Sequence, residues 1–413
     1  MIDIKQLEEI MLDQALVFKA REAGMEREID FDKFLKTKQI TVISGVRRSG
    51  KSTLLRQISK KLSDFYYINF DDERLINFKV EDFNNLLIVW QKQFASKNIL
   101  VDKIQNVQFW ERFVRRIHDE GYKIFITGSN AKLLSSELST HLTGRYFKIE
   151  LYPFSFKEML LFRHVSLAKL TSKIKATIFN LFDNYLKNGG FPEYLKHQDM
   201  EFIKRTYEDI VYRDIITRFG IRETKPFRQL TNFLFTNFTK ETNYNSLSNI
   251  LGIKSAISVK NYIGFLEESY LVFELYRYDF SLKKQMASNK KIYVIDNGVR
   301  NNVAFYFSED RGRLLENTVF LELKRRGCEI YYYKEKNECD FIIKEKDKIV
   351  EAIQVTQKIN HSNEKREIDG LLSAMEQFNL KEGVLLTESE EEERKIGEKV
   401  IKFVPLWKWL LKV

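Results

Sequence analysis

Gly45-Val46-Arg47-Arg48-Ser49-Gly50-Lys51-Ser52-Thr53 is the stretch whose reading decides the fold. Its spacing is that of a G-x-x-x-x-G-K-[ST] phosphate loop. The glycines let the backbone turn so that successive N–H groups point inward at an anion. Lys51 would reach the outer phosphates of a polyphosphate and Ser52 would hold Mg²⁺. The helix that follows adds its positive end at the same place. Both flanks agree with this reading. Ile40-Thr-Val-Ile-Ser44 is β-branched and apolar, as a buried parallel strand requires, and Leu54, Leu55, Ile58 and Leu62 recur at helical spacing.

Outward from the loop, strands alternate with helices. Phe65–Phe70, Asn98–Asp102, Lys123–Thr127 and Phe147–Leu151 read as further strands. This alternation predicts a parallel sheet with helices on both faces over 39–153, preceded by a helical segment over 1–38. Between 154 and 226 the pattern turns helical, broken at Gly189-Gly190-Phe191-Pro192. Residues 227–300 then read as helix Leu230–Phe238, helix Asn245–Leu251, helix Ser255–Glu268 and strand Tyr270–Tyr276, a winged-helix order. From 301 to 413 the order is helix (314–326), three strands (329–333, 339–343, 349–356), helix (364–378) and strand (383–386). The acidic run Glu388–Glu393 reads as a solvated helix start.

Composition bounds what such a chain can be. With 413 residues, 44% hydrophobic and 14% aromatic, it can build two or three cores. The net charge of +10 fits either a lysine-rich surface or a partner such as DNA. The two cysteines, Cys328 and Cys339, lack metal-site spacing and suit a reducing compartment. The mixed-charge N-terminus is no secretion signal, and no uncharged apolar run approaches the length of a membrane span. The expectation is a cytoplasmic protein away from the membrane.

A phosphate-loop domain needs an acid at the end of a neighbouring strand to hold Mg²⁺ through water, and Asp102 is the candidate. A Glu that orients the attacking water usually comes next. Here it is Lys103, which has three donors and no acceptor. Lys103 can bind a γ-phosphate but cannot activate water, so turnover requires a substitute: Asp71, Asp72, Glu73 or Glu111. Thr127-Gly128-Ser129 ends the fourth strand and could sense the γ-phosphate through Ser129. Arg145 is a candidate arginine finger for a neighbouring subunit, which would require a homo-oligomer.

Taken together, Gly45–Thr53, Val101-Asp-Lys-Ile-Gln-Asn-Val107, Thr127-Gly-Ser129, Gly144-Arg145 and Pro153–Glu158 resemble the prokaryotic AAA-type ATPases of unassigned role. Gly189–Tyr194, Tyr212–Ile216 and Ile292–Gly298 resemble the C-terminal domain that those ATPases carry. The resemblance implies an α/β P-loop NTPase domain that takes ATP and Mg²⁺. The family pattern has Asp-Glu-Ile-Gln where this chain has Asp102-Lys103-Ile104-Gln105, a departure that bears on hydrolysis rather than on binding.

The last segment resembles a second group, the restriction-endonuclease-like nucleases, through Glu316, Asp340, Gln354 and Thr356. An active member would carry an acid at 354 and a Lys at 356, to bind Mg²⁺ and position water. Lys358, on the same face of an extended strand, is the nearest stand-in. The pattern implies an inherited fold with a degenerate site. In the winged-helix-like unit, Lys254, Ser255, Ser258, Lys260 and Asn261 could face a DNA groove, with Ile257, Val259, Tyr262 and Ile263 as the core side. The sequence thus predicts an ATP-binding ATPase whose nucleotide state repositions its C-terminal half on DNA or a protein partner. The alternatives are a binding switch that does not turn over and, last, a metal-dependent nuclease.

Overall fold

The computed structural model describes residues 2–128, 142, 144–304 and 310–412. They fall into two compact units, Met1–Tyr152 and Pro153–Val413. In the first, strands β1 (Ile40–Ser44), β2 (Tyr66–Asn69), β3 (Asn98–Asp102), β4 (Lys123–Thr127) and β5 (Tyr146–Glu150) form one sheet in the order β2-β3-β4-β1-β5. All its pairings are parallel. With helices on both faces, this is a P-loop NTPase sheet.

The two-residue period of the strands sorts their side chains into two cores. Ile40, Val42, Ile68, Val101 and Ile126 pack on one face with Leu7, Trp90 and Val114. Ile43, Tyr67, Leu100 and Phe125 pack on the other with Leu54, Leu55, Ile58 and Phe34. The strands are buried on both faces, which is why they read as continuous apolar runs.

The N-terminal segment is not one helix. It divides into Ile4–Ala20 and Phe31–Leu35. The first gives Leu7, Ile10 and Met11 to one core and Phe18 to the other, so it wraps the β2 edge of the sheet. There Gln14 donates from Nε2 to the Asn69 carbonyl (3.1 Å) and accepts from the Asn69 N–H (2.8 Å), pairing backbone groups that an edge strand leaves open.

The second unit opens with helices Phe156–Phe162, Ser172–Asn188, Pro192–His197 and Glu201–Asp209, the last continuing as a π-helical stretch, Ile210–Thr217. Helix Thr224–Thr236 leads to β6 (Glu241–Thr242), helices Tyr244–Leu251 and Ala256–Glu268, then β7 (Val272–Tyr276) and β8 (Lys290–Val294). These strands form an antiparallel sheet in the order β6-β8-β7. Helix Arg311–Arg325 precedes a six-stranded mixed sheet of β9 (Glu329–Lys334), β10 (Glu338–Glu345), β11 (Lys348–Val355), β12 (Glu382–Thr387), β13 (Glu392–Ile396) and β14 (Lys399–Pro405), ordered β13-β14-β12-β11-β10-β9.

Three local expectations are corrected here. Ile257, expected in the core, is 72% exposed, because helix Ala256–Glu268 buries Val259, Ile263 and Leu266 and turns position 257 outward. The acidic run does not start a helix. Its end enters β13, which pairs antiparallel with β14, and Arg394 lies against Glu364 and Glu392. Finally, β11 stops at Val355, so Lys358 is not on that strand and is exposed.

Candidate functional site

The loop between β1 and helix Lys51–Ser59 is built on backbone that favours glycine. Gly45 has φ 145° and Gly50 has φ 97°. A Cβ on Gly45 would collide with the carbonyl of Leu151. Arg48 also takes a left-handed φ of 63° at the turn. Gly50 caps the helix without any side-chain hydrogen bond, at the end of a helix where anions are favoured. The Ser49 hydroxyl is buried and has no hydrogen-bond partner among the described residues. Lys51 is buried and donates from Nζ to the carbonyls of Gly45 (2.9 Å) and Val46 (2.7 Å), curling its ammonium into the loop.

Two residues missed at the sequence level hold this loop. Arg27 is buried, and its guanidinium donates to the carbonyls of Ser49 and Tyr152, both at 2.9 Å. Gln57 accepts from the Arg27 N–H and donates to the carbonyls of Ala23 and Met25. Segment 23–27 is thereby tied to the phosphate-loop helix. The only sequence signal was a polar Gln on the apolar face of that helix.

Asp102, at the end of β3, is 2% exposed. The Thr127 hydroxyl donates to its Oδ1, and the same hydroxyl accepts from the Lys103 N–H at 3.1 Å. Thr127 therefore aims the carboxylate. Ser129 lies outside the described residues. Lys103 has a left-handed φ of 58°, and its ammonium is 3.6 Å from Asp71 Oδ2. A cleft of about 450 Å³ opens here, lined by Ser52, Arg56, Asp71, Asp102, Lys103 and the C-terminal half of helix Ile4–Ala20. The oxygen donors Ser52 and Asp102 facing one cleft are the set a hard cation such as Mg²⁺ takes. The glycine backbone, the uncapped helix start, the unpartnered Ser49 hydroxyl and the inward Lys51 fit a polyphosphate.

Arg145 stands apart from this cleft. Its carbonyl accepts from Ile40 N–H at the start of β1, at the end of the sheet away from the loop, and its guanidinium pairs with Asp119 at 3.1 Å. Glu111 is buried on helix Trp110–Asp119 and is not among the cleft residues.

In the second unit Glu316 and Asp340 converge on one cation. Lys291, from β8, is 3% exposed, and its ammonium lies 3.2 Å from Glu316, 2.7 Å from Glu338 and 3.0 Å from Asp340. Burial works against that charge, but Glu316 and Asp340 outweigh it and hold Lys291 protonated. Tyr293 donates to Glu316 (2.7 Å). Gln354 donates to Glu367 (2.6 Å) and accepts from the Asp340 N–H (3.1 Å), while Thr356 accepts from Asn363. The lysine at these carboxylates comes from another sheet, 49 residues before Asp340, which no local spacing could reveal.

A family model described as an AAA domain matches residues 37–160. Two domains of unknown function, DUF8612 and DUF4143, match 179–310 and 311–409. The uncharacterized protein MJ1544 of Methanocaldococcus jannaschii is 40% identical over 437 aligned positions, covering 100% of this chain and 96% of its own. The chain belongs to that family of AAA-domain proteins. An uncharacterized protein of Haemophilus influenzae is 34% identical, covering 92% of this AAA-domain protein and 96% of its own length. Among solved structures, the Aeropyrum pernix ORC1 protein in complex with DNA aligns at 11% identity and a TM-score of 0.29, over 72% of this chain and 90% of that one. AMPPCP-bound DnaA from Aquifex aeolicus aligns at 12% and 0.27, over 58% and 86%. Among the described residues, no helix is long and apolar enough to cross a membrane.

Proposed function

We propose that this chain is a Mg²⁺-dependent ATPase whose first unit binds ATP at Gly45–Thr53 and whose nucleotide state is transmitted to the second unit. The observation that carries the reading is the loop itself: strained glycine backbone, an uncapped helix start and an inward ammonium, beside Ser52 and Asp102 in one cleft. The loop amides and Lys51 hold the phosphates. Ser52 and Asp102 would hold the metal, with Thr127 keeping Asp102 in place. Mg²⁺ held there would supply charge neutralisation to the phosphates. The test is calorimetric titration of the full chain with ATP and MgCl₂. Binding is expected, and Lys51→Ala is expected to weaken it by about 10- to 100-fold, the effect of losing a charged hydrogen bond or two. A flat titration would end the proposal.

Residues 224–294 support a winged-helix reading of the second unit, with helix, strand, two helices, strand, the short helix Leu282–Ala287 and strand in that order and sheet order β6-β8-β7. Lys254, Ile257, Lys260 and Asn261 are exposed around the start of helix Ala256–Glu268, the part such modules present to a DNA groove. DNA is therefore the partner to test first, by fluorescence anisotropy on a duplex. Lys254→Glu and Lys260→Glu should each weaken binding and reduce the salt slope by about one. Unchanged binding points to a protein partner instead.

The mixed sheet with helix Arg311–Arg325 supports a restriction-endonuclease-like reading without cleavage chemistry. A lysine ammonium stands among Glu316, Glu338 and Asp340, and the acid and Lys expected at 354 and 356 are Gln and Thr. Plasmid incubated with Mg²⁺ or Mn²⁺ should stay intact. A binding switch that does not turn over is the second reading, favoured by Lys103 alone.

A further inference from the structure

The residue after Asp102 lacks the carboxylate that water activation needs, and the cleft contains several others. Asp72 is committed: its oxygens accept from Arg74 (3.0 and 2.9 Å) and from Gln14 (2.9 Å), and Arg74 holds it well below the usual carboxylate range. Asp13 is paired with the same Arg74 at 2.8 Å. Glu111 is not in the cleft. Glu73 lines it but starts a short 3₁₀ turn past the strand. Asp71 differs from all of these. Strand register sets Asn69 of β2 opposite Asp102 of β3, and Asp71 follows two residues on. Its N–H donates to the Asn69 side chain (3.0 Å), which fixes the turn. Its carboxylate is 61% exposed, and the partner it meets is the ammonium of Lys103, at a loose 3.6 Å.

We infer that Asp71 and Lys103 divide between them the task that a single Glu at position 103 would perform: Asp71 orients and deprotonates the attacking water, and Lys103 contacts the γ-phosphate. The inference rests on the ATP-binding reading above. The chemistry of the pair is complementary. An ammonium donates to phosphate oxygens but accepts nothing, whereas a carboxylate accepts the water's hydrogen bond. When a triphosphate draws Lys103 toward it, the ion pair loosens and Asp71 is released to the water. In the step, the water oxygen bonds to the γ-phosphorus as the bond from that phosphorus to the β,γ-bridging oxygen breaks. The bond's electron pair leaves with ADP, and the water's proton passes to Asp71 and on to solvent. The products are ADP and inorganic phosphate.

The test measures phosphate release and ATP affinity side by side on the full chain. Asp71→Asn should lower kcat by about 100-fold or more, the scale of a lost general base, with ATP affinity unchanged within about threefold. Glu73→Gln should leave kcat near the wild-type value. Lys103→Glu placed in the Asp71→Asn background should restore turnover, because it returns a carboxylate beside Asp102. This rescue also separates a chemical role from a folding defect. ATP binding with no release by the wild type, or full release by Asp71→Asn, or loss in Glu73→Gln instead, would overturn the assignment of Asp71 while leaving ATP binding intact. Failure of the wild type to bind ATP would overturn the reading beneath it.

Discussion

Lys51 and Lys291 are both buried ammonium groups, and their partners set them to different tasks. Lys51 donates to two loop carbonyls, which hold its ammonium in the phosphate loop. Lys291 lies against three carboxylates, which tie its charge into a closed cluster between β8, β10 and helix Arg311–Arg325. Removing one partner of such a cluster leaves uncompensated charge in a medium that solvates it poorly. Lys291→Met should therefore destabilise the second unit by roughly 3–5 kcal/mol, read as a fall in the urea midpoint. Converting Glu316 to Gln in the same chain should recover part of that loss, since one buried negative charge goes with it. Sequence reading singled out Glu316 and Asp340 as a degenerate pair, but Lys291 was out of view because the contact spans two sheets.

At the level of elements, the phosphate loop is held by a segment that precedes its strand. Arg27 clamps Ser49 and Tyr152, so Arg27→Ala should weaken ATP binding by about tenfold while the chain stays folded. Affinity by calorimetry and a retained far-UV dichroism spectrum check both parts. A second clamp sits in the other unit. Asp296 caps helix Asn297–Val303 through the N–H groups of Gly298 (2.8 Å) and Val299 (3.2 Å), and accepts from Gly190 N–H (2.7 Å). Gly189 and Gly298 leave no room there for a Cβ, which would strike Asp296 or the Asn188 carbonyl. Burial pushes the Asp296 carboxyl up from 3.8 to about 6, against the pull of those three N–H groups. Between these values the folded chain holds a proton that the unfolded chain has lost. The stability from this group is thus highest below pH 4 and declines as pH rises through 6. Asp296→Asn should remove that component, so the difference in unfolding free energy between wild type and variant should shrink or reverse from pH 5 to pH 7, as measured by urea titration at each pH.

For the whole molecule, ligand binding must stabilise the fold that binds it. At a free ATP concentration one hundred times Kd, the binding-competent state gains about 2.7 kcal/mol. Hydrogen exchange with ATP and Mg²⁺ should show the greatest slowing at 45–53 and 23–27, the loop and the segment clamped to it. Slowing confined to Pro153–Val413 would contradict the assigned site. Protection that extends into the second unit only when nucleotide is present would be the signature of transmitted nucleotide state.

Much of the first unit was legible from local chemistry. Apolar β-branched runs, helical spacing after the loop, and glycines at 45 and 50 are patterns that neighbouring residues impose on one another through sterics and hydrogen bonding. They determined the parallel sheet, the phosphate loop and Asp102 as the strand-end acid. Other features came only from tertiary structure. Among them are Gln14 on the β2 edge, Arg27 and Gln57 behind the loop, Thr127 aiming Asp102, Asp71 rather than Asp72 beside Lys103, and Lys291 among the carboxylates. Each is a polar group whose partner lies tens of residues away in sequence. Burial makes that pairing obligatory, yet the identity of the partner depends on which strands become neighbours, and strand order is a property of the folded sheet rather than of any window along the chain.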